Sequence, residues 1–389
     1  MKKIVTIGEL GIIITGNTPP RSNPKLYGNY TPFIKATDIS ETEKYTYHPE
    51  EYYSEEGYNK YIKSLIPKGS ICVVTIGSIG KKMTMAHCDL FINQAMNAII
   101  PNENFDNEYV YYAVKNILPN IKMLDSGTAS GRENVSKSAF SKMQILIEDN
   151  IITQRRIAEI LSHYDSLIEN YQKQIKLLEE SAQRLYKEWF VDLRFPGHEN
   201  TKIVDGVPEG WEKGAVSDVV TFFDNLRKPL SSMQRMDMDK KYPYYGAASV
   251  MDYVDSYLFD GVYVLLGEDG TVITKDGYPI LQYVWGKFWV NNHAHVLQGK
   301  NKVTTEYIYM MFKNTHIANL VTGCAQPKIS QGRLSCKEIL IPSDYYLSMW
   351  NNQAKNIFKQ LRFLYDQIKN LTEARDRLLP KLMNGEIEV

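Results

Sequence analysis

Two short runs carry residue types that could bind phosphate groups or hold a base for chemistry. Gly77-Ser78-Ile79-Gly80-Lys81 comes close to a phosphate-binding loop, but Thr75 stands where that pattern needs its first glycine, and Lys82 where it needs Ser or Thr. Asn17-Thr18-Pro19-Pro20-Arg21 comes close to the Asn- or Asp-Pro-Pro-aromatic quartet of amino-methyltransferases, but it has an insertion and lacks the aromatic residue. Neither run meets its pattern, and the first is interpreted as a glycine turn that ends a strand.

Histidines and cysteines raise the question of a metal site. His293 and His295 lie on one face of a predicted strand, as metal ligands can. They align with Ala95 and Asn97 in the repeat described below, so a ligand role would belong to one copy alone, and a structural role is favoured. The four cysteines form no CxxC pair, and reduced thiols are favoured over a zinc site through His87-Cys88. We expect no metal site and no catalytic residue on this chain.

The charge balance limits the kind of partner that the chain can bind by itself. Its 389 residues include 45 Lys and Arg and 45 Asp and Glu, so the formal net charge is zero. Because non-specific affinity for nucleic acid comes mainly from phosphate neutralisation, this balance argues against a simple electrostatic binder. It leaves open a sequence reader whose partners supply most of the positive charge.

The N-terminal segment and the hydropathy pattern indicate a cytoplasmic protein. Glu9 interrupts the apolar run after Lys2-Lys3 too early for a signal peptide. No stretch approaches the ~20 consecutive apolar residues that would span a bilayer. We therefore expect no contact with a membrane.

The chain contains an internal repeat at an offset of 198 residues. Phe91–Ile99 reappears in degraded form as Val290–Leu297, and Glu108–Tyr111 returns as Glu306–Tyr309. Each copy is followed by a long segment with heptad spacing. A chain built as globule, helix, globule, helix mimics a dimer of two related but non-identical parts.

The predicted fold class is α+β, with two related α/β domains separated by two long antiparallel coiled-coil helices in a pseudo-twofold arrangement. In the first domain, Ser70–Ile76 is a β-branched run that ends at Gly77, and Asp106-Asn107 cap a short helix over Glu108–Ile117. Met143–Ile147 is predicted to be a closing strand. The predicted bounds are 1–150 and 196–346 for the globular domains, and 151–195 and 347–389 for the helices.

Heptad spacing predicts one coiled-coil helix over Thr153–Phe190 and another over Met349–Met383. Arg375 interrupts the second seam where Ala182 sits in the first, and Pro380 is expected to kink or end the second helix. The first helix leads the chain outward to the second globule, and the second helix leads it back. The two helices should therefore run antiparallel. The seam residues expected to pair with a partner helix are Ile157, Leu161, Ile168, Ile175, Leu178, Leu185, Ile357, Leu361, Leu364, Ile368, Leu371 and Leu378.

Both long helices carry further apolar residues beside the seam. A seam wider than the a and d positions favours additional helices from another chain that pack alongside. The alternative is that these residues pack back on the globules. They are Tyr186, Phe190, Phe358, Tyr365, Leu379 and Leu382.

Short motifs recur in the order of the repeat. Pro208-Glu209-Gly210-Trp211 opens the second globule, and Gln154–Ala158 opens the first long helix. Gly323–Ser330 leads to a closing strand at Ile339–Pro342, and Gly127–Ser136 is its counterpart in the first globule. These motifs, their duplication and the two helices resemble the specificity subunit of a type I restriction–modification enzyme over essentially the whole chain. In the first domain the resemblance also rests on Ile7–Leu10, Thr15–Pro19 and Pro32–Ile39.

The resemblance implies a non-catalytic DNA-recognition subunit with a role in host defence. In that family each recognition domain reads one half of a split double-stranded DNA target in the major groove, and the helices act as a ruler for the spacer. The helices also dock two methyltransferase subunits, which bring S-adenosylmethionine and methylate a flipped adenine. Motor–nuclease subunits bring ATP and Mg for restriction. The resemblance therefore implies no cofactor on this chain.

The predicted DNA-reading segments are the two late loops, Gly127–Ser136 in the first globule and Gly323–Ser330 in the second, because both place polar and basic side chains between a glycine and a closing strand. Gln and Asn can pair bidentately with adenine, and Arg or Lys with guanine, while the lysines of the glycine turn suit phosphates. Lesser candidates are Lys35, Thr37, Arg227, Lys228, Tyr244 and Tyr245. The predicted DNA-binding residues are Lys81, Lys82, Thr128, Ser130, Arg132, Asn134, Arg227, Lys228, Tyr244, Gln326, Lys328, Ser330 and Gln331.

Two other classes of function compete with this interpretation. A self-sufficient methyltransferase or nuclease would need a catalytic domain on the same chain, and residues 1–389 leave no part to hold one. A scaffold that joins other proteins through paired helices fits the neutral charge. It does not explain why two polar-looped domains diverged while their helices kept one pattern.

Overall fold

The computed structural model describes residues 2–127, 133–323 and 325–389. These residues form two compact units, Met1–Gln172 with Gln367–Val389, and Lys173–Asp366. Each unit combines one α/β globule with part of each long helix. The division between the units therefore falls inside both long helices rather than at their ends.

The first unit holds the first nine strands of the chain and its first four helices. In chain order these are β1 (Lys2–Thr6), α1 (Ile7–Leu10), β2 (Gly11–Thr15), β3 (Tyr27–Ile34), β4 (Glu51–Tyr53), α2 (Glu55–Tyr61), β5 (Ile71–Val74), β6 (Met83–Met85), β7 (Phe91–Ile92), β8 (Met96–Pro101), α3 (Asn107–Ile117), α4 (Lys137–Lys142) and β9 (Gln144–Glu148).

Sheets of two, three and four strands make up the first unit. The four-stranded sheet has the order β2-β8-β5-β6, and the three-stranded sheet has the order β4-β3-β7 with β3 parallel to β7. Strand β1 pairs with β9, which brings Thr6 opposite Gln144 and closes the globule. Helix α3 packs in the core, capped by the Asp106 carboxylate, which accepts a 2.9 Å hydrogen bond from the Tyr109 backbone N–H. The predicted cap, short helix and closing strand are confirmed.

The second unit holds the remaining strands and four short helices. In chain order, after the first long helix α5 (Ile151–Tyr186), these are β10 (Ile203–Val204), β11 (Val207–Pro208), β12 (Glu212–Ala215), α6 (Val216–Val219), β13 (Val220–Phe222), α7 (Ser232–Met236), β14 (Tyr242–Tyr245), β15 (Val250–Val254), β16 (Phe259–Gly267), β17 (Leu281–Val290), β18 (Ala294–Gly299), α8 (Thr305–Lys313), α9 (Gln331–Ser335) and β19 (Glu338–Ile341).

The second unit repeats the strand pairings of the first in one larger sheet. Its order is β13-β18-β16-β17-β14-β15, and β12 pairs with β19 as β1 pairs with β9. The parallel pairing of β14 with β17 at Tyr245 and Val290 corresponds to that of β3 with β7 at Ile34 and Ile92. The internal repeat read from the sequence is therefore a repeat of fold.

The two long helices are longer than the heptad pattern predicted. Helix α5 spans Ile151–Tyr186 and continues into a π-helical turn at Lys187–Val191, and helix α10 spans Asp344–Asn384. The expectation that Pro380 kinks or ends the second helix is wrong as regards its end, because α10 continues through it to Asn384. A proline so near the C-terminus still has one more turn of helix after it.

Within each unit the two helices run antiparallel, as predicted. In the second unit α5 contacts α10 at Glu179 and Tyr365, with a 3.2 Å hydrogen bond, and then at Tyr186 and Trp350. Residue numbers rise along one helix while they fall along the other. In the first unit the seam residues Ile157 and Leu161 of α5 share a buried cluster with the end of α10.

The predicted seam residues face the interior in both units. Half of the set is buried and the rest is half-buried. The buried residues are Ile157, Leu161, Ile168, Ile175, Leu361 and Leu364, and the half-buried residues are Leu178, Leu185, Ile357, Ile368, Leu371 and Leu378.

The apolar residues beside the seam pack on the globules of this chain, which was the alternative expectation, and the packing of helices from another chain stays a prediction. Tyr186 lies 5.3 Å from the Tyr307 ring, and Phe358 lies 5.2 Å from the Tyr283 ring, centroid to centroid. Aromatic side chains bury more area against a globule's own helix and sheet than on an open helix face. Phe190 and Tyr365 make similar ring contacts, and Leu379 and Leu382 belong to the core of the first unit.

Across the described part of the chain, none of the helices combines the length and the apolar character needed to cross a membrane.

Candidate nucleic-acid interface

In the first unit, backbone hydrogen bonds join a glycine turn to the late loop. The turn follows β5, and the Thr75 N–H donates to the Ala95 carbonyl at 2.8 Å, while the Val135 N–H donates to the Thr75 carbonyl at 2.8 Å. The Gly77 N–H donates to the Glu133 carbonyl at 3.1 Å. Gly77 has φ +89°, a conformation that glycine adopts without strain. The turn and the late loop therefore form one surface feature.

The second unit holds its glycine turn with the same three hydrogen bonds. The Glu268 N–H donates to the His293 carbonyl at 2.8 Å, and the Ile329 N–H donates to the Glu268 carbonyl at 2.8 Å. The Gly270 N–H donates to the Pro327 carbonyl at 3.0 Å, and Gly270 has φ +84°. The two units thus share one backbone framework at the turn and late loop, and they carry different side chains on it.

The structure places the first unit's predicted contacts around this framework. Lys81 is exposed and Lys82 half-buried in the connection from β5 to β6. The Asn134 backbone is fixed, since its N–H donates to the Asp125 carboxylate at 2.7 Å and its carbonyl accepts from the Ser126 N–H at 3.1 Å. The other predicted contacts of this loop, Thr128, Ser130 and Arg132, lie outside the described residues.

The second unit's late loop presents Gln326 and Gln331 as exposed side chains. The Lys328 side chain is half exposed, and its ammonium group lies 3.2 Å from the Glu268 carboxylate. Ser330 caps helix α9, because its hydroxyl accepts a 3.4 Å hydrogen bond from the Arg333 N–H. The structural counterpart of Ser330 is Ser136, which caps α4 in the same way. Gln326 and Gln331 therefore remain available to a ligand, whereas a ligand contact from Lys328 would compete with Glu268.

A buried charged cluster lies beneath the late loop of the second unit. The Arg227 guanidinium lies 2.6 Å from the Glu268 carboxylate and donates to the Ala294 carbonyl at 2.6 Å. His295 places Nδ1 2.6 Å from the Asp224 carboxylate and Nε2 2.8 Å from the Ile329 carbonyl. Burial tends to raise the pKa of Glu268, but hydrogen bonds and positive charge from Arg227 and its neighbours outweigh this and lower it. This cluster ties the late loop to the sheet.

The same cluster contains the described groups most similar to a metal site. Ligand atoms of Asp224, Glu268 and His295 lie within 4.8 Å of one another. However, Arg227 already contacts both carboxylates, at 2.6 Å for Glu268 and 3.6 Å for Asp224. A guanidinium that neutralises both acids competes directly with a cation, and the donor set fits a structural cluster better than a metal site. His295 is fully buried, in agreement with the structural role inferred for it.

The first unit carries a neutral network at the corresponding positions. Asn97, the counterpart of His295, donates from Nδ2 to the Thr75 hydroxyl at 2.9 Å and accepts from the Thr15 hydroxyl at 2.6 Å. Sequence reasoning missed Asp224 and Glu268 as positioning residues. The signal available was a polar residue at the end of a buried strand in both copies, Thr75 in the first and Glu268 in the second.

Three predicted or lesser DNA contacts already have partners within the protein. Tyr244 is 2% exposed, its hydroxyl accepts a 2.9 Å hydrogen bond from the Leu230 N–H, and the Arg235 guanidinium covers its ring at 4.9 Å. Its ring and hydroxyl are both inside the core, so its predicted contact with DNA would require this segment to open. Arg227 is held in the charged cluster, and Lys35 forms ion pairs with Glu50 and Glu51.

The remaining lesser candidates lie nearer the surface. Lys228 and Thr37 are exposed, and Tyr245 is half-buried. The Lys228 carbonyl accepts a 2.6 Å hydrogen bond from the Trp289 indole, which fixes its backbone and leaves its ammonium group in solvent. Lys228 therefore stays a candidate for a phosphate contact.

Two mixed α/β globules with one repeated loop framework and paired long helices define a tandem recognition protein. The family described as "Type I restriction modification DNA specificity domain" matches this chain twice, over residues 2–180 and 208–376. The chain belongs to this family and is the DNA sequence-specificity subunit of a type I restriction–modification system.

Similar proteins agree with this assignment. The chain is 26% identical over its whole length to the type I restriction enzyme MjaIX specificity subunit of Methanocaldococcus jannaschii, of which it covers 93%. Over 36% of its length it is 34% identical to a putative type I restriction enzyme specificity subunit of Haemophilus influenzae, of which it covers 35%. The crystal structure of a type I restriction–modification S subunit from M. genitalium has the same fold, with a TM-score of 0.61 and 18% identity over 98% of this chain and 96% of that one.

Proposed function

We propose that each unit reads one half of a split double-stranded DNA target through its glycine turn and late loop. The observation that carries this proposal is the shared backbone framework, with Thr75, Gly77 and Val135 in one unit and Glu268, Gly270 and Ile329 in the other. A conserved framework with different side chains is what two readers of different sequences need. Base edges in the major groove would be contacted by the late-loop side chains, and phosphates by Lys81 and Lys82.

We propose that the long helices set the spacer and dock two methyltransferase subunits. The pairing of α5 with α10 in each unit supplies a stiff element with a rise of ~1.5 Å per residue. Exposed apolar side chains on these helices, Leu167, Leu177 and Phe363, offer area for partner subunits. The chain itself is non-catalytic in this proposal, and it acts in the cytoplasm.

The cofactors in this proposal belong to the partner subunits. S-adenosylmethionine would be bound by the methyltransferase subunits, which methylate adenine, and ATP and Mg by the motor–nuclease subunits. The chain contributes the target sequence and the spacing. Its zero net charge is compatible with this division, because partners that close around DNA would supply the positive charge.

The test is to co-express this chain with its methyltransferase subunit in a host that lacks other adenine methylation, and to map methylated adenines across the genome by single-molecule sequencing. We expect one split motif with two defined halves and a spacer of fixed length. The control strain carries the methyltransferase subunit alone and should show no motif. Assembly of the complex without any motif would contradict the proposed reading of DNA and favour a scaffold.

A further inference from the structure

A buried ion pair interrupts the helix seam in the first unit. The Arg375 guanidinium of α10 lies 2.5 Å from the Asp165 carboxylate of α5, and the two side chains are 4% and 9% exposed. The Tyr112 hydroxyl of α3 donates a hydrogen bond to the same carboxylate, and Arg375 also contacts the half-exposed Asp376 at 2.8 Å. The three groups Tyr112, Asp165 and Arg375, called here the seam cluster, satisfy one another.

Stability alone does not account for such a cluster. Taking both charges out of water costs free energy that their attraction repays only in part, and apolar residues of similar volume are often as stable or more so. Polar groups at single seam positions are, however, a known means of selecting one helix register or partner over another.

The second unit carries apolar residues at the same three positions. Each seam residue of α5 is matched 193 positions later in α10, so that Asp165 corresponds to Phe358 and Arg375 to Ala182. Tyr112 corresponds to Met310 through the repeat offset of 198. Phe358, Ala182 and Met310 are all fully buried.

The register of the second unit places Ala182 opposite Phe358. The contact of Glu179 with Tyr365 lies on one side of this position, and that of Tyr186 with Trp350 on the other. Pairing α5 with α10 therefore sets charge against charge in one unit and apolar against apolar in the other.

Any pairing of a helix with a copy of itself would break this match. In the same antiparallel register, two α5 helices from separate chains would set Asp165 against Ala182, and two α10 helices would set Arg375 against Phe358. Each would leave an unpaired buried charge, which is strongly unfavourable. The other seam positions that correspond in the two helices are apolar or aromatic in both, so they do not distinguish the pairings.

We propose that the seam cluster selects the pairing of α5 with α10 over the pairing of either helix with its own copy from a second chain. The inference does not rest on the proposed reading of DNA. The choice of partner helix follows from the presence of charge at only one of the two corresponding sites, and not from the strength of the ion pair.

The test uses two full-length variants in which the seam cluster and the corresponding three residues of the second unit carry the same side chains. One carries Tyr112→Met, Asp165→Phe and Arg375→Ala, and the other carries Met310→Tyr, Phe358→Asp and Ala182→Arg. Each variant is unfolded in denaturant and refolded at a series of concentrations, and its mass is measured by size-exclusion chromatography with light scattering. Circular dichroism checks that the helices have reformed. Either variant is sufficient for the test if the other does not refold.

We expect both variants to form dimers or larger species, in a fraction about tenfold or more above that of the original chain, because self-pairing no longer leaves a buried charge unpaired. The matched control reverses the pair with Asp165→Arg and Arg375→Asp. It keeps the asymmetry and should refold to the mass of the original chain.

Two results would overturn the proposal. The first is a refolded variant with like seam sites that has the same mass as the original chain at every concentration. The second is a charge-reversed control that associates as much as the variants do, because association would then reflect damage to the seam.

Discussion

At the scale of single residues, the two units hold the same backbone turn in place with different side chains. The glycine turn is held over a neutral Thr75–Asn97 network in the first unit and over the charged cluster of Arg227, Glu268 and His295 in the second. The cluster positions the late loop because the His295 Nε2 atom lies within hydrogen-bonding distance of the Ile329 carbonyl. Its members are therefore positioning residues, and the exposed loop side chains are the ones left to contact a ligand.

The residue-scale prediction concerns the late loop of the second unit. Replacing Gln326 and Lys328 together with Ala should relax recognition at one half-site only, because each bidentate base contact contributes about 1–3 kcal/mol of discrimination. The measurement is the methylation map described above, compared between variant and original chain. Lys213→Ala serves as the matched control, since Lys213 is an exposed lysine on β12, a strand that pairs with β19 rather than with the late loop. Equal losses at both half-sites would count against a local role.

At the scale of elements, heptad spacing determines where the two long helices lie in the chain, and tertiary contacts determine the register in which they pair. Antiparallel pairing places each α5 residue opposite a specific residue of α10, as Asp165 is opposite Arg375. Deleting residues from one helix alone would break this register in one of the two units. A change in helix length must therefore be made in both helices at once.

The element-scale prediction follows from that register. Deleting Ile168–Gln174 together with the opposite segment, Asp366–Thr372, removes one heptad from each helix and keeps the seam cluster paired. A heptad rises ~10.5 Å, and a base step rises ~3.4 Å, so the accepted spacer should shorten by about three base pairs. Methylation mapping should show both half-site sequences unchanged. New bases in either half-site would refute the role of the helices as a ruler.

Deletion of Ile168–Gln174 alone is the control for this experiment. It shifts α5 by one heptad against α10, so the pairing register can hold in only one of the two units, and the packing lost in the other should lower the thermal stability of the chain. A matched pair of deletions that proved as unstable as the single one would show that the pairing register was assigned wrongly.

At the scale of the whole molecule, the balance of charge is the informative feature. The chain carries equal numbers of acidic and basic side chains, and several basic groups near the turns are already engaged with carboxylates, as Lys328 is with Glu268. A protein of this kind has little surplus charge with which to attract a phosphate backbone. Its DNA affinity should depend on its assembly.

The whole-molecule prediction is that the isolated chain binds its target duplex weakly, at about 10⁻⁴–10⁻⁶ M, the range of non-specific binding. The methyltransferase complex should bind the same duplex more tightly by at least about a thousandfold. Fluorescence anisotropy at fixed salt measures both affinities, with a duplex of altered half-sites as the control. Tight, sequence-specific binding by the isolated chain would contradict this division of roles.

The local features of this protein were predictable from its sequence, because they depend on near neighbours. Heptad spacing locates both long helices, since their apolar stripe follows from positions three and four residues apart. The Asp106 cap and the glycine turn at Gly77 are likewise set within a few residues. The internal repeat predicts the repeated fold, because both copies place the same side-chain types in the same order.

Tertiary structure alone decided which residues are available. Tyr244 and Arg227 are residue types that often contact DNA, but the fold buries Tyr244 beside Leu230 and pairs Arg227 with Glu268. In the sequence, Arg375 is a charged residue that interrupts an apolar heptad pattern. In the fold it pairs with Asp165, which is 210 residues away in the chain. Partners that distant are joined by the packing of whole elements, and no pattern along one element specifies them. The heptad seam could therefore be predicted from the sequence, whereas the pairing of Asp165 with Arg375 across it could be recognised only in the fold.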